Sequence, residues 1–116
     1  MKALLMELLD RIPGARGASV VGLDGIAVEK VSVQPSFNID LVSAEVIALV
    51  KRALPSGGNG ADGVEEISVT CRSGLTILRS IEKNYYLCLM VGPDRIPKQT
   101  RFETWKIGRQ LEHVVA

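Results

Sequence analysis

The stretch Tyr85–Val91, with the sequence YYLCLMV, constrains the fold more than any other part of the chain. Seven apolar residues follow one another there without a polar interruption. A strand places alternate residues on opposite faces, so this strand would be apolar on both. In a chain of 116 residues such a strand must lie inside a sheet that helices cover on both sides.

Four further stretches have the composition of strands, because aliphatic and β-branched residues in them are bounded by turn residues. Asp24-Gly25 separates the first two stretches and predicts a hairpin with a type I′ turn. Short polar turns separate the last two from each other and from Tyr85–Val91, which predicts an antiparallel meander. The predicted strands are residues 18–23, 26–33, 67–71, 75–81 and 85–91.

Three amphipathic or apolar segments predict helices around these strands. A leucine stripe in residues 4–12 ends at Pro13-Gly14, and a second helix follows the predicted N-cap Asp40 and ends before Pro55. The third begins near Pro97 or Thr100. Its predicted core face consists of Phe102, Ile107, Leu111, Val114 and Val115, with Trp105 at the margin. The result is an α/β (α+β) fold with a five-stranded, mostly antiparallel sheet, and we expect residues 1–116 to form a single domain.

The second helix is apolar around most of its circumference, and one sheet can cover only one side of it. We therefore expect a second copy of the chain to cover the other side in a twofold homodimer. The third strand has polar residues on one face, as an edge strand would, and its edge can pair across the dimer. The predicted dimer interface consists of Val46, Ile47, Val50, Ile67 and Val69.

Composition narrows the range of partners and compartments. Fourteen basic and thirteen acidic residues leave a net charge of +1, which provides no strong field for nucleic acid or a membrane, so neither is an expected partner. No stretch resembles a signal peptide, and we expect a soluble, cytoplasmic protein. Cys71 and Cys88 fall on strands separated by a third, too far apart for a disulfide, and we expect both to be reduced thiols in the core.

No catalytic, cofactor or metal site is expected. His113 stands near the end of the last helix without a second histidine or a spaced acidic partner. The segment Gly57–Gly63 lacks the Gly-Lys-Ser/Thr of a phosphate-binding loop and precedes a strand. Arg52 and Arg72 are candidates for an arginine finger supplied to a GTPase, although an ordinary solvated charge is the simpler interpretation. We do not expect an enzyme.

The order and spacing of these elements resemble the roadblock, or dynein light chain, family, whose fold is longin-like. The matching residues are LLMELL, Pro13-Gly14, Gly17-Ala18 before VVGLDG, the aliphatic second helix, and ISV, GLTILRSI and NYYLCLMV. The likeness covers nearly the whole chain and is greatest to the short prokaryotic regulators of gliding-motility GTPases, which act in motility and cell polarity.

The resemblance implies the strand order 2-1-5-4-3 and a homodimer through the second helices and third strands. It further implies a non-catalytic regulator that binds a Ras-like small GTPase and stimulates GTP hydrolysis, with Glu45, Lys51 and Arg52 as partner-binding residues. An alternative is a cytoskeletal or signalling assembly module without effect on nucleotide turnover. A second alternative is a small-ligand sensor whose pocket lies between the sheet and a helix.

Overall fold

The structure is a computed structural model that describes residues 1–33, 37–53, 65–82, 84–93 and 97–115. All eight predicted elements are present within these ranges, with ends shifted by up to three residues. In chain order they are α1 (Lys2–Arg11), β1 (Ala15–Gly22), β2 (Ala27–Ser32), α2 (Ile39–Ala53), β3 (Glu66–Cys71), β4 (Gly74–Ser80), β5 (Tyr85–Val91) and α3 (Pro97–Val115).

The five strands form one antiparallel sheet in the order β2-β1-β5-β4-β3. This is the order that the resemblance implies. The strand with no polar residues, β5, is central: Leu89 pairs with Ala18 of β1 on one side and with Ile77 of β4 on the other. The strands β2 and β3 lie at the two edges, which confirms the edge position predicted for β3.

Both faces of β5 are buried, and each supports its own hydrophobic core, as the sequence predicts. Leu87 and Leu89 face the core under α1 and α3, whereas Cys88 and Met90 face the core under α2. The first core also holds Leu5, Leu8, Ile107 and Leu111, and the second holds Ile39, Val46, Ile47, Val50 and Tyr86. The chain is therefore a three-layer structure with one helix on one face and two on the other.

The start of α2 differs from the prediction by two residues. The side chain of Asn38, not that of Asp40, accepts the hydrogen bond of a free helix N–H group, that of Leu41 at 3.0 Å. Asp40 lies inside the first turn and forms an ion pair with Lys30 of β2. A carboxylate in the first turn still stabilises the helix through its dipole.

The hairpin between β1 and β2 is in the predicted place, but its turn is not type I′. Gly25 donates a hydrogen bond to the carbonyl of Gly22 at 2.9 Å. Among the three loop residues, Leu23, Asp24 and Gly25, only Gly25 has positive φ, at 84°. The side chain of Asp24 accepts a hydrogen bond from the N–H group of Ile26 at 2.9 Å. The turn is therefore type I followed by a left-handed glycine, a three-residue loop that also suits a hairpin.

The core face of α3 is partly different from the predicted one. Ile107 and Leu111 are fully buried, as predicted, but Phe102 is 56% exposed and Val114 is 49% exposed. Two threonines take the buried positions instead, and the hydroxyl of Thr104 donates to the carbonyl of Thr100 at 2.7 Å. Threonine is compatible with the core because this hydrogen bond satisfies its only polar group.

Candidate protein-interaction site

The candidate site consists of the outer side of α2, which packs mainly on β1 and β2, and of the edge strand β3 at the opposite edge of the sheet. Leu41 is 54% exposed and Leu49 is 43% exposed, although both belong to a helix whose inner side is buried. Ala44 and Ala48 are also exposed and lie one turn apart on the helix. Two leucines beside two small side chains form an apolar surface that another helix can approach closely.

The three α2 residues predicted to form the dimer interface lie on the inner side of the helix. Val46, Ile47 and Val50 are at most 6% exposed and pack in the core between α2 and the sheet. The sequence does not separate them from Leu41 and Leu49 because both groups are aliphatic. The apolar residues that α2 can offer to a partner are therefore the four exposed ones.

The predicted partner-binding residues Glu45, Lys51 and Arg52 are all exposed on α2. Within the described residues, no ion pair involves any of them. Glu45 lies one turn from Leu41 and one turn from Leu49, so the charges stand among the exposed apolar residues of α2.

The strand β3 has one edge paired with β4, and no described strand pairs with its other edge. Ile67 and Val69, the remaining predicted interface residues, are half-buried, and Ile67 packs against the core under α2. Ser68 and Thr70 are exposed. An edge with free N–H and C=O groups can accept another strand by backbone hydrogen bonding.

A cavity of about 390 Å³ lies between α2 and the sheet, next to β3. Its walls are mainly apolar and include Leu49 and Val69. Arg16 and Glu45 add one charge of each sign, and no carboxylate of the described residues forms an ion pair with Arg16. The volume is within the usual range for small-molecule sites. It is also the kind of recess into which a side chain from a docked helix can insert.

Comparison with solved structures identifies this architecture. A roadblock/LC7 domain from Streptomyces avermitilis superposes with a TM-score of 0.83 at 18% identity, over 99% of this chain and 97% of that one. The chain has the roadblock/LC7 fold. The gliding protein MglB from Thermus thermophilus is also similar, with a TM-score of 0.77 at 16% identity over 97% and 85% of the two chains.

MglC from Myxococcus xanthus matches the roadblock fold of this chain with a TM-score of 0.71 at 25% identity, over 96% of this chain and 95% of MglC. At the level of sequence, no family model and no curated protein matches the chain. The resemblance drawn from the order of elements is confirmed by structures that match almost the whole chain.

The cysteines of this roadblock fold occupy different environments. Cys88 is buried in the centre of the sheet, as predicted, but Cys71 is exposed near the end of β3, so the prediction of a second core thiol is wrong. Burial raises the pKa of the Cys88 thiol to about 12, although hydrogen bonds with Ser43 and Ser19 oppose this shift. A thiol with that pKa is protonated at neutral pH and unreactive as a nucleophile.

Other candidates for chemistry remain separate in the structure. His113 and Arg72 are both exposed, one near the end of α3 and one in the β3–β4 turn. Among the described residues, no three His, Cys, Asp or Glu side chains are placed to share a metal ion. The segment Gly57–Gly63 lies outside the described residues. No described helix is long and apolar enough to cross a membrane.

Proposed function

We propose that this chain is a homodimeric, non-catalytic regulator that binds a Ras-like small GTPase and stimulates its GTP hydrolysis. The observation that carries the proposal is the exposed apolar side of α2 together with the edge strand β3, on a roadblock fold. The similarity to MglB and MglC supports a roadblock-type regulator.

The proposed dimer joins two copies through β3 and α2. Antiparallel pairing of two β3 edges places a twofold axis perpendicular to the sheet and makes one sheet of the two. Both α2 helices then lie on the same face of that sheet, where they can pack through Leu41, Ala44, Ala48 and Leu49. Burial of this surface removes the two exposed leucines of α2 from water.

The proposed GTPase site is the platform that two α2 helices form together. Its charged residues would be Glu45, Lys51 and Arg52 of each copy, which lie beside the exposed leucines on the same side of α2. Charged residues at the rim of an interface determine orientation and association rate more than affinity. A platform of this kind accelerates hydrolysis by holding the catalytic residues of the GTPase itself in their active arrangement.

The test is binding to a Ras-like small GTPase from the same genome, loaded with GDP or with a non-hydrolysable GTP analogue. Light scattering gives the mass of the complex, and phosphate release gives turnover. We expect preference for the GTP form, two copies of this chain per GTPase, and faster hydrolysis. Equal binding to both forms with unchanged hydrolysis would indicate the assembly module instead, and the absence of binding would reject the GTPase as partner.

The matched variants for this test lie on two helices, α2 and α3, on opposite faces of the sheet. Lys51→Gln with Arg52→Gln should weaken GTPase binding while the dimer mass stays unchanged, because rim charges contribute to the encounter with the partner. Lys98→Gln with Arg109→Gln on α3 removes the same charge from the opposite face of the sheet and should leave GTPase binding unchanged. If the α3 variant weakened binding as much as the α2 variant, the docking face would be assigned incorrectly.

A further inference from the structure

The outer side of α3 carries a stripe of two exposed aromatic rings between two cations. Lys98, Phe102, Trp105 and Arg109 are spaced by four, three and four residues, so they lie along one line on the helix. All four are exposed, and the rings of Phe102 and Trp105 are 6.2 Å apart between centroids. We call these four residues the α3 stripe.

The exposure of these rings is unusual for this chain, which has only five aromatic residues. Tyr86 is buried, and Phe37 and Tyr85 are half-buried. The two rings of the α3 stripe are therefore the most exposed aromatic side chains of the described residues, and they are neighbours. Large exposed apolar groups that cluster indicate a contact surface.

The α3 stripe is positive because its four residues include two cations and no carboxylate. The helix has four basic and two acidic residues, a surplus of two positive charges in a chain whose net charge is +1. Glu103 turns away toward α1, where its carboxylate is 3.5 Å from Arg11. Glu112 is half-buried and follows Arg109 by three residues, so it stands at the C-terminal end of the stripe, beyond both rings. Lys98 and Arg109 form no ion pair with any described residue.

From these observations we infer that the α3 stripe binds the surface of an anionic phospholipid membrane. Tryptophan and phenylalanine are the side chains that insert at the level of lipid headgroups, and flanking lysine or arginine contacts the acidic headgroups. Lys98 and Arg109 are eleven positions apart, about 17 Å along the helix, so the stripe can lie flat on a bilayer. The sequence predicts that Phe102 lies in the core and that no membrane is a partner. The exposure of Phe102 in the structure is the observation that changes this expectation.

Two other occupants fit the α3 stripe less well. In a twofold contact between two such stripes, Lys98 of one copy would lie near Arg109 of the other, and like charges would repel. A folded acidic protein would require an interface of roughly 800 Å² on each side, whereas the apolar part of the stripe consists of two rings. A bilayer requires no complementary groove, which suits the convex surface of a helix.

The position of the α3 stripe leaves the proposed GTPase site free. Helix α3 lies on the face of the sheet opposite α2, and the ion pair between Arg101 and Glu66, at 2.5 Å, ties it to β3. In the proposed dimer, both α3 stripes would lie on the same face, near the twofold axis. Attachment at two points then strengthens membrane binding, although a single stripe can bind a membrane without the dimer.

Trp105 is the only tryptophan of the chain, so its fluorescence reports on the α3 stripe without a label. The probe is a titration with vesicles of equal parts phosphatidylcholine and phosphatidylglycerol, accompanied by co-sedimentation. We expect a blue shift of emission and protein in the vesicle pellet, both reversed by high salt. Vesicles of phosphatidylcholine alone should produce neither effect.

Three variants test the assignment, with circular dichroism to confirm that each is folded. Lys98→Gln with Arg109→Gln should weaken vesicle binding on the order of 30-fold, because each cation near an anionic surface contributes roughly fivefold. Phe102→Ser should weaken it roughly tenfold, since one inserted ring is lost. The matched control, Lys51→Gln with Arg52→Gln on α2, should bind vesicles as the parent does.

Several results would overturn the inference. Absence of binding, equal binding to vesicles with and without phosphatidylglycerol, or an equal loss in the α2 control would each do so. A shift of Trp105 emission on addition of an acidic leucine-glutamate peptide, without any shift on addition of vesicles, would assign the stripe to a protein partner instead. Failure of GTPase binding affects none of these measurements, because that test concerns α2.

Discussion

The hydroxyl oxygens of Ser19 and Ser43 lie 2.8 Å apart in the core between β1 and α2, and both side chains are fully buried. The Cys88 thiol of β5 is close enough to both serines that they lower its pKa against the effect of burial. These three polar side chains connect α2 to β1 and β5 at one point of a core that is otherwise apolar. A hydrogen bond at a single place fixes the rotation of the helix on the sheet, and hence which leucines face outward.

Ser43→Ala should lower the free energy of unfolding by about 1–3 kcal/mol, because the buried hydroxyl of Ser19 loses a partner. The double variant Ser19→Ala/Ser43→Ala should lose less unfolding free energy than the two single variants lose in sum. Urea unfolding measures all three, and Ser68→Ala on the exposed side of β3 is the control without effect. Strict additivity of the two single variants would mean that the hydrogen bond contributes nothing.

Gly74→Ala should destabilise the fold by several kcal/mol, because a Cβ atom there would lie 2.0 Å from the carbonyl oxygen of Val91. Gly74 also has a φ of 150°, which side chains rarely adopt. The control is Gly108→Ala in α3, where the nearest atom, Cγ2 of Ile81, would be at an ordinary 3.6 Å. That variant should be neutral or stabilising by up to about 1 kcal/mol, since alanine favours a helix. Thermal unfolding distinguishes the two, and a stable Gly74→Ala protein would contradict the geometry of the β3–β4 turn.

Leu41→Asp should yield a folded monomer, whereas Ile47→Asp should prevent folding. Leu41 is 54% exposed on the proposed dimer surface, and Ile47 is 1% exposed inside the chain. A carboxylate in the core costs several kcal/mol whether or not a second copy is present. Light scattering and circular dichroism separate loss of the dimer from loss of the fold. An unchanged dimer for Leu41→Asp together with Leu49→Asp would remove α2 from the interface.

Tyr86→Phe should raise the free energy of unfolding by up to about 1 kcal/mol. The Tyr86 side chain is 1% exposed, and its hydroxyl has no hydrogen-bond partner in the described structure. Removal of an unpaired buried hydroxyl avoids its desolvation cost and keeps the ring in place. Denaturant unfolding of the two proteins under the same conditions tests this, with Tyr85→Phe as the half-buried control. A loss of stability would show that the hydroxyl has a partner.

Stability should fall as pH rises above 9. Burial raises the pKa of the Cys88 thiol from an ordinary 9.0 to about 12, so the unfolded chain releases this proton first. Between these values the unfolded state binds fewer protons, and the free energy of unfolding decreases by on the order of 1 kcal/mol per pH unit. Unfolding of the parent and of Cys88→Ala across this range measures the effect. Other groups titrate in both proteins. Identical slopes would therefore mean that Cys88 does not contribute to the pH dependence of stability.

The central strand and the order of the elements are predictable from the sequence because a run such as YYLCLMV has one physical solution, burial on both faces. The inner and outer sides of α2 are not predictable in the same way. Val46 and Leu49 are equally aliphatic, and only the position of the helix on the sheet decides that one is buried and the other exposed. The cap at Asn38 is missed because Asp40 is an equally good capping residue.

The outer side of α3 shows a second limit of prediction from the sequence. Phe102 has the hydrophobicity of a core residue, and Thr100 and Thr104 do not, yet the structure exposes the first and buries the other two. A threonine in a helix can satisfy its hydroxyl with a preceding backbone carbonyl, so its polarity does not keep it out of a core. Periodicity read from hydrophobicity alone therefore rotates the helix toward the wrong side.

The central position of β5 also determines where this chain can change over evolutionary time. Every side chain of β5 after Tyr85 is buried between two helical layers, so almost any substitution there disturbs one core or the other. The outer sides of α2 and α3 contribute to neither core. New partners can thus be acquired on either helix without loss of the fold, and the two surfaces can diverge independently of each other.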